Sequence, residues 1–366
     1  MSAILRRPAA VLPNPGPPSE QRAEGPVNVL IIDDSLTVRT VFSRMIAREA
    51  DLQVVAGAGT AEQGLRELAA TPVDVVLLDL EMPGMGGLEA LPRILAASPS
   101  TKVLVISSLT AAGAEHTVTA LKMGAADTML KPRPGGFDDA YRDQLLSKIR
   151  ALKGDVRRAV APPPRPARTK AAGKAPEILA IGASTGGIHA LNLFLARIPA
   201  SFQLPILITQ HLPPSFIPVF ARQMEVAARR EAVLAIDGTV ISRGKLFIAP
   251  GHGHMTVRKA EGRRVVALTY VPVKSGCMPS VDPMFASLAS AYDGRVAAVL
   301  LSGMGRDGTD GARAIDEAGG RIYAQDAESC AVWGMPRAVT EQGIAAAIAP
   351  PATLADAVVA SIEPRP

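Results

Sequence analysis

The sequence predicts an α/β protein built as two doubly wound parallel-sheet domains joined by a linker. Three observations carry that reading. Short apolar runs rich in Val, Ile and Leu alternate with helical patterns, once before residue 150 and again after residue 177. Polar residues gather just past the ends of those runs, where a parallel sheet presents its ligand-binding edge. Between the two halves, residues 151–176 lose all periodicity and turn rich in Pro and Ala. At 366 residues the chain also exceeds what one ordinary core organises.

In order, residues 1–26 are Pro-rich and aperiodic and predict a disordered tail. Strands are expected at Val29–Ile32, Val54–Ala56, Val75–Leu78, Val103–Ile106 and Thr128–Leu130. Helices are expected near 37–49, 61–70, 87–97, 112–123 and 138–152, which closes a first domain over 27–150. The second domain, 177–366, opens on Ile178–Ile181 and continues with strands at Pro205–Thr209, Lys245–Ala249 and Val296–Leu301.

Composition excludes several classes. No apolar run reaches membrane-spanning length, and Met1–Pro26 has Arg6 and Arg7 but no adequate hydrophobic stretch, so no signal peptide is expected. Two cysteines, Cys277 and Cys330, lack metal-type spacing and fit a reducing, cytoplasmic setting. The net charge of +5 is concentrated in 151–176, where seven basic residues face the single acid Asp155. A DNA-binding regulator would carry a compact helix-turn-helix with a basic recognition face, and the alternating pattern offers none; no nucleic-acid partner is expected.

In the first domain, Asp33 and Asp34 follow the first strand, Asp79 ends the third, Ser107 the fourth, and Lys131 the fifth. Taken singly, Asp34 or Ser35 reads as an N-cap and Lys131 as a solvated surface charge. Taken together, three carboxylates on one edge repel unless a cation sits among them; Mg²⁺ suits such an oxygen-rich site, and Lys131 can neutralise a phosphoryl group. The segments VLIIDDSLTVR (Val29–Arg39), LDLEMPG (Leu78–Gly84), VISSL (Val105–Leu109) and Lys131-Pro132 resemble the receiver domain of bacterial response regulators. The resemblance implies a flavodoxin-like domain in which Asp79 accepts a phosphoryl group from a histidine kinase. It implies that Asp33, Asp34 and Asp79 hold Mg²⁺ and that Ser107 and Lys131 contact the phosphoryl oxygens. Thr128 departs from the pattern, standing where many receivers carry an aromatic switch residue.

The second domain opens on a strand–turn–helix with Gly182-Ala183-Ser184-Thr185-Gly186 at the bend. Such a turn can expose a serine hydroxyl at a sheet edge; equally, it can be a plain turn with Ser184 or Thr185 as helix N-cap. A nucleophilic serine needs a histidine, itself oriented by a carboxylate. His211 directly follows an apolar run and so lies level with Ser184, whereas His189 sits inside the next helix and points away. His252 and His254 flank Gly253 and could share a strand face, but no third metal ligand is apparent. Asp307 lies in the loop after Val296–Leu301; Asp310, as a helix cap, and Asp282, as a helix-start residue, are its competitors. The backbone N–H groups of Thr185 and Met304 are candidates for an oxyanion hole.

The order Ser, His, Asp is not that of the α/β-hydrolases. The segments IGASTGG (Ile181–Gly187), QHLP (Gln210–Pro213), IAPG (Ile248–Gly251), His254-Met255, PSVD (Pro279–Asp282), LSGMGRDG (Leu301–Gly308) and Ala324–Pro336 instead resemble the chemotaxis protein-glutamate methylesterases. The resemblance implies a Rossmann-like methylesterase domain with Ser184 as nucleophile, His211 as base, Asp307 as orienting acid and a structural Cys330. It implies hydrolysis of glutamate methyl esters, and deamidation of glutamines, on chemoreceptors, with no cofactor for the hydrolysis. A non-catalytic adaptor that reports receiver state is the alternative.

Overall fold

The structure, a computed structural model, describes residues 25–108, 110–132, 136–153 and 175–362. Most of the expected tail and linker lies outside these residues.

The first domain places β1 (Val27–Ile32), α1 (Leu36–Ile46), β2 (Leu52–Ala58), α2 (Ala61–Ala70), β3 (Val75–Asp79), α3 (Gly87–Ala97), β4 (Lys102–Ser107), α4 (Ala111–Met123), β5 (Asp127–Leu130) and α5 (Asp139–Lys153) in chain order. Its five strands form a parallel sheet in the order β2-β1-β3-β4-β5. Alternate side chains serve opposite faces. Leu30, Ile32, Val76 and Leu78 pack towards Ala90, Leu91, Ile94 and Val118, whereas Val29, Ile31, Val75 and Leu77 pack towards Phe42, Ile46, Leu145 and Ile149. Because both faces are covered, the strands read as continuous apolar runs, not as alternating ones.

The second domain comprises β6 (Ile178–Ala183), α6 (Gly187–Arg197), β7 (Ile206–Gln210), α7 (Ile217–Ala228), β8 (Ala232–Leu234), β9 (Leu246–Ile248), β10 (His254–Ala260), β11 (Arg263–Thr269), α8 (Val281–Ala291), β12 (Val296–Leu300), α9 (Thr309–Glu317), β13 (Arg321–Gln325), α10 (Met335–Glu341), β14 (Ala345–Ala349) and α11 (Pro351–Ala360). Seven parallel strands run in the order β14-β13-β12-β6-β7-β9-β8, and β10 and β11 form a separate antiparallel hairpin. The sheet therefore has three strands, β8, β13 and β14, beyond the four expected. β8 is only three residues long, and β14 is Ala-Ala-Ala-Ile-Ala, a composition with little strand propensity that pairing with β13 overrides.

The strand order reverses beside β6, which pairs with β7 on one side and β12 on the other. The crevice at such a reversal is where doubly wound sheets bind ligands. Helix α6 packs on one face of the sheet with Leu191, Phe194 and Leu195, all fully buried; Phe194→Ala would cost about 3–5 kcal/mol.

The two domains touch. An apolar cluster continues from Ala114, Val118 and Leu121 of α4 to Phe216, Ile217 and Phe220 at the start of α7. Around it, Gly186 N–H donates to Ala126 O (2.6 Å), Thr185 Oγ1 to Asp127 Oδ2 (2.6 Å) and Arg222 to Glu115 (2.9 Å).

Candidate active site

The register of β6 sets the site. Gly182 and Ala183 lie opposite Thr209 and Gln210 of β7, so the next residue on each strand, Ser184 and His211, leaves the sheet side by side. His211 N–H donates to Ala183 O (3.0 Å) and Ser184 N–H to Ser302 O (3.0 Å), which ties three strand ends together. The chain then turns at Gly186, whose φ of +76° suits glycine, and Gly186, not Ser184 or Thr185, caps α6. Gly303 must also lack a side chain: a Cβ there would lie 2.8 Å from Ser184 Cβ and 2.4 Å from Met335 Sδ.

Ser184 Oγ lies 3.1 Å from His211 Nδ1, and His211 Nε2 lies 2.7 Å from Asp307 Oδ2. A neutral ring with its proton on Nε2 satisfies both contacts, donating to Asp307 and accepting from Ser184. Asp307 is buried and densely held. Its carboxylate also accepts from Ser280 Oγ (2.6 Å) and Val281 N–H (2.8 Å). Burial disfavours its charge, but the His211 contact and these donors outweigh that and hold it down at about 2. For His211 burial likewise opposes the charge, and the hydrogen bonds to Asp307 and Cys277 override it, raising it to about 9.

Among the described residues neither competitor for the acid pairs with His211. Asp310 sits in the first turn of α9, a helix capped by Gly308, and pairs loosely with Arg313 and Lys274. Asp282, in the first turn of α8, accepts from Gly311 N–H (2.8 Å); burial pushes it up to about 6, with the Asp307 charge adding to the shift. The backbone N–H groups of Thr185 and Met304 donate to no acceptor among the described residues.

The other histidines do not converge. His189 binds Lys122 O of the first domain (2.9 Å), and His252 stacks on Tyr270. His254 is bonded to Val271 O (3.1 Å) and accepts at Nδ1 from the N–H of Ser280 (2.9 Å), the residue whose hydroxyl donates to Asp307. Sequence reasoning missed Cys277. It reaches the site from the loop before α8, and its Sγ, a His211 ring nitrogen and an Asp307 oxygen lie within 4.8 Å of one another. The hydrogen bond to His211 holds the thiol below its ordinary value. No sequence signal marks that contact, because it depends on the path of a loop 66 residues from the histidine. Cys330 is buried, and burial raises its thiol.

At the first domain's edge, oxygens of Asp33, Asp34 and Asp79 lie within 4.8 Å of one another. Lys131 Nζ reaches Asp79 Oδ2 (2.5 Å) and Asp33 Oδ2 (3.2 Å). Burial, with Asp33 alongside, raises Asp79 above the usual carboxylate range despite Lys131. Burial opposes the Lys131 charge, yet its two carboxylate partners raise it. The Ser107 hydroxyl is hydrogen-bonded to Thr117 and to Gly113 O of α4. Thr128 is buried and its hydroxyl has no hydrogen-bond partner among the described residues.

Comparison with known proteins agrees with both halves. Residues 179–358 match the CheB methylesterase family and residues 29–137 the response regulator receiver domain family. A protein-glutamate methylesterase/protein-glutamine glutaminase from Caulobacter vibrioides is 43% identical over 332 residues, covering 88% of this chain and 95% of that one. This chain belongs to the protein-glutamate methylesterase/protein-glutamine glutaminase family. A further member, from Azospirillum brasilense, is 37% identical over 92% of each chain. Among solved structures, the Thermotoga maritima CheB methylesterase catalytic domain is 32% identical, covering 51% of this chain and 98% of that one, with a TM-score of 0.49. No helix among the described residues is long and apolar enough to cross a membrane.

Proposed function

We propose that this chain is a phosphorylation-activated serine hydrolase that removes methyl groups from glutamate γ-methyl esters on chemoreceptors. The observation that carries the proposal is the relay from Ser184 through His211 to Asp307, at 3.1 and 2.7 Å, in a chain of this family. Neutral His211 takes the Ser184 proton at Nδ1 as the hydroxyl attacks the ester carbonyl. Asp307 holds the ring through Nε2 and balances the imidazolium that forms. The tetrahedral oxygen develops its charge towards the unpaired N–H groups of Thr185 and Met304. His211 gives its proton to the leaving methoxide, and methanol departs. It then activates water to release glutamate. The same steps acting on a glutamine amide release ammonia, which is the second activity proposed. Exposed Met278 and Met304 near the triad, with Tyr270 and Val271 of the same loop region, offer apolar contact to a helical protein substrate.

The receiver half is proposed to control this site from the cytoplasm, with Asp79 accepting a phosphoryl group from a histidine kinase. The donor set fits a magnesium ion: three carboxylates converge, and among the described residues Lys131 is the cation paired with them. Asp33, Asp34 and Asp79 would hold it, and it supplies charge neutralisation for the incoming phosphate. Lys131 pairs with the phosphoryl oxygens. Ser107 must turn from Thr117 to reach them, which couples the site to α4, a helix packed on α6 and α7. The receiver contacts Thr185 and Gly186, the residues after the nucleophile, so loosening that contact frees the substrate's approach. Methanol release from methylated receptor decides the assignment: Ser184→Ala should lose it, and equal release from both proteins would refute it.

A further inference from the structure

The catalytic histidine and its acid have a third neighbour that the hydrolysis does not use. Cys277 Sγ, a His211 ring nitrogen and an Asp307 carboxylate oxygen lie within 4.8 Å of one another, and they come from three separate segments of the second domain. Cys277 is partly exposed, and besides the His211 contact its Sγ makes a weak hydrogen bond to Ser275 O (3.7 Å). One thiol, one imidazole and one carboxylate form a mixed set that suits Zn²⁺, whereas magnesium prefers oxygen alone. The set is also braced from behind. Ser280 Oγ and Val281 N–H fix Asp307, and Ala183 O fixes the backbone of His211.

We infer that His211, Cys277 and Asp307 form an inhibitory zinc site, so that a thiophilic divalent cation switches the hydrolase off. The inference rests on the proposed role of His211 as the base. Zinc forms bonds to Cys277 sulfur, a His211 nitrogen and an Asp307 oxygen. The Cys277 S–H bond breaks, its proton passes to solvent, and nothing is oxidised or reduced. Ligands around a tetrahedral zinc stand roughly 3.3 Å apart, so zinc on Nε2 opens the 2.7 Å His211–Asp307 contact slightly and displaces its hydrogen bond. Either ring nitrogen gives the same result. Metal on Nδ1 consumes the lone pair that receives the Ser184 proton. Metal on Nε2 forces the ring proton onto Nδ1, where it points at Ser184.

Two measurements on the full chain, with saturating Mg²⁺ to occupy the receiver carboxylates, test the site. Added Co²⁺ should give a thiolate-to-cobalt charge-transfer absorption that persists in Cys330→Ser and disappears in Cys277→Ser. Zn²⁺ should inhibit methanol release reversibly, with recovery on adding chelator. The half-inhibiting concentration, normalised to each protein's zinc-free rate, should rise about tenfold or more in Cys277→Ser. Equal zinc sensitivity in the two proteins, or a cobalt absorption that survives loss of Cys277, would overturn the proposal. The cobalt measurement needs no turnover, so it judges the metal site even if Ser184-dependent methanol release fails.

Discussion

Each of the two domains carries a candidate site at a reversal of strand order in a parallel sheet, and the two sites are equipped in opposite ways. The receiver edge gathers three carboxylates against one lysine and stays unbalanced; burial raises Asp79. The hydrolase edge carries one carboxylate with its partners complete, since Asp307 accepts from His211, Ser280 and Val281 and is held at about 2. The same scaffold thus holds one carboxylate above its usual range and another below it, and the residues after the strands decide which.

The widest contrast is broken by removing the acid from the hydrolase edge. Asp307→Asn leaves an acceptor-poor amide beside Nε2 and should lower kcat for methanol release by about 10³–10⁴, as the corresponding change does in other Ser-His-Asp hydrolases. A loss below tenfold would remove Asp307 from the relay. On the unbalanced edge, Asp79→Asn should fold and keep basal release, yet lose all stimulation by a small phosphodonor; stimulation that persists would move the acceptor elsewhere.

The pH profile sharpens the comparison. His211 is competent only when neutral and sits at about 9. With chelator present, kcat/KM should therefore climb roughly tenfold per pH unit below that value and level off above it. Cys277→Ala removes one cause of the upward shift, so its profile should move to lower pH. A flat profile from pH 6 to pH 9 would show that His211 is already deprotonated. Linkage gives the matching stability statement. A raised folded-state value stabilises the fold below the unfolded value of about 6.5, and that contribution is lost as pH rises through about 9. The smallest effect belongs to the seam between the edges. Asp127→Ala removes the acceptor of Thr185 Oγ1, a hydrogen bond of about 0.5–1.5 kcal/mol, and should raise unphosphorylated release roughly two- to tenfold. A fall in basal release would mean that the contact supports the nucleophile turn instead of restraining it.

Much of this was legible in the sequence because parallel strands buried on both faces read as plain apolar runs, and their ends locate the edge. Ser184, His211 and Asp307 each stand just past such a run, and the carboxylates of the receiver do likewise. What escaped depended on other forces. β14 has an alanine-rich sequence and is a strand only because β13 pairs with it. The hairpin of β10 and β11 carries charged residues and a two-residue turn, outside the parallel pattern. Cys277 meets His211 through the path of a loop, and Asp127 meets Thr185 across two domains; neither is a property of local sequence. The rotation of Ser107 towards α4 is a choice between rotamers, which no periodicity encodes.

Strand β5 has a partner at each end. Just past its carboxyl end, Lys131 grips Asp79; at its amino end, Asp127 grips Thr185, and the preceding Ala126 takes the Gly186 N–H. Four extended residues span about 13 Å. The span between the candidate phosphoryl site and the Ser184 turn is thus no longer than a single strand. Swapping receivers between members of this family would therefore transmit a signal only where that short span and both of its end contacts are copied together.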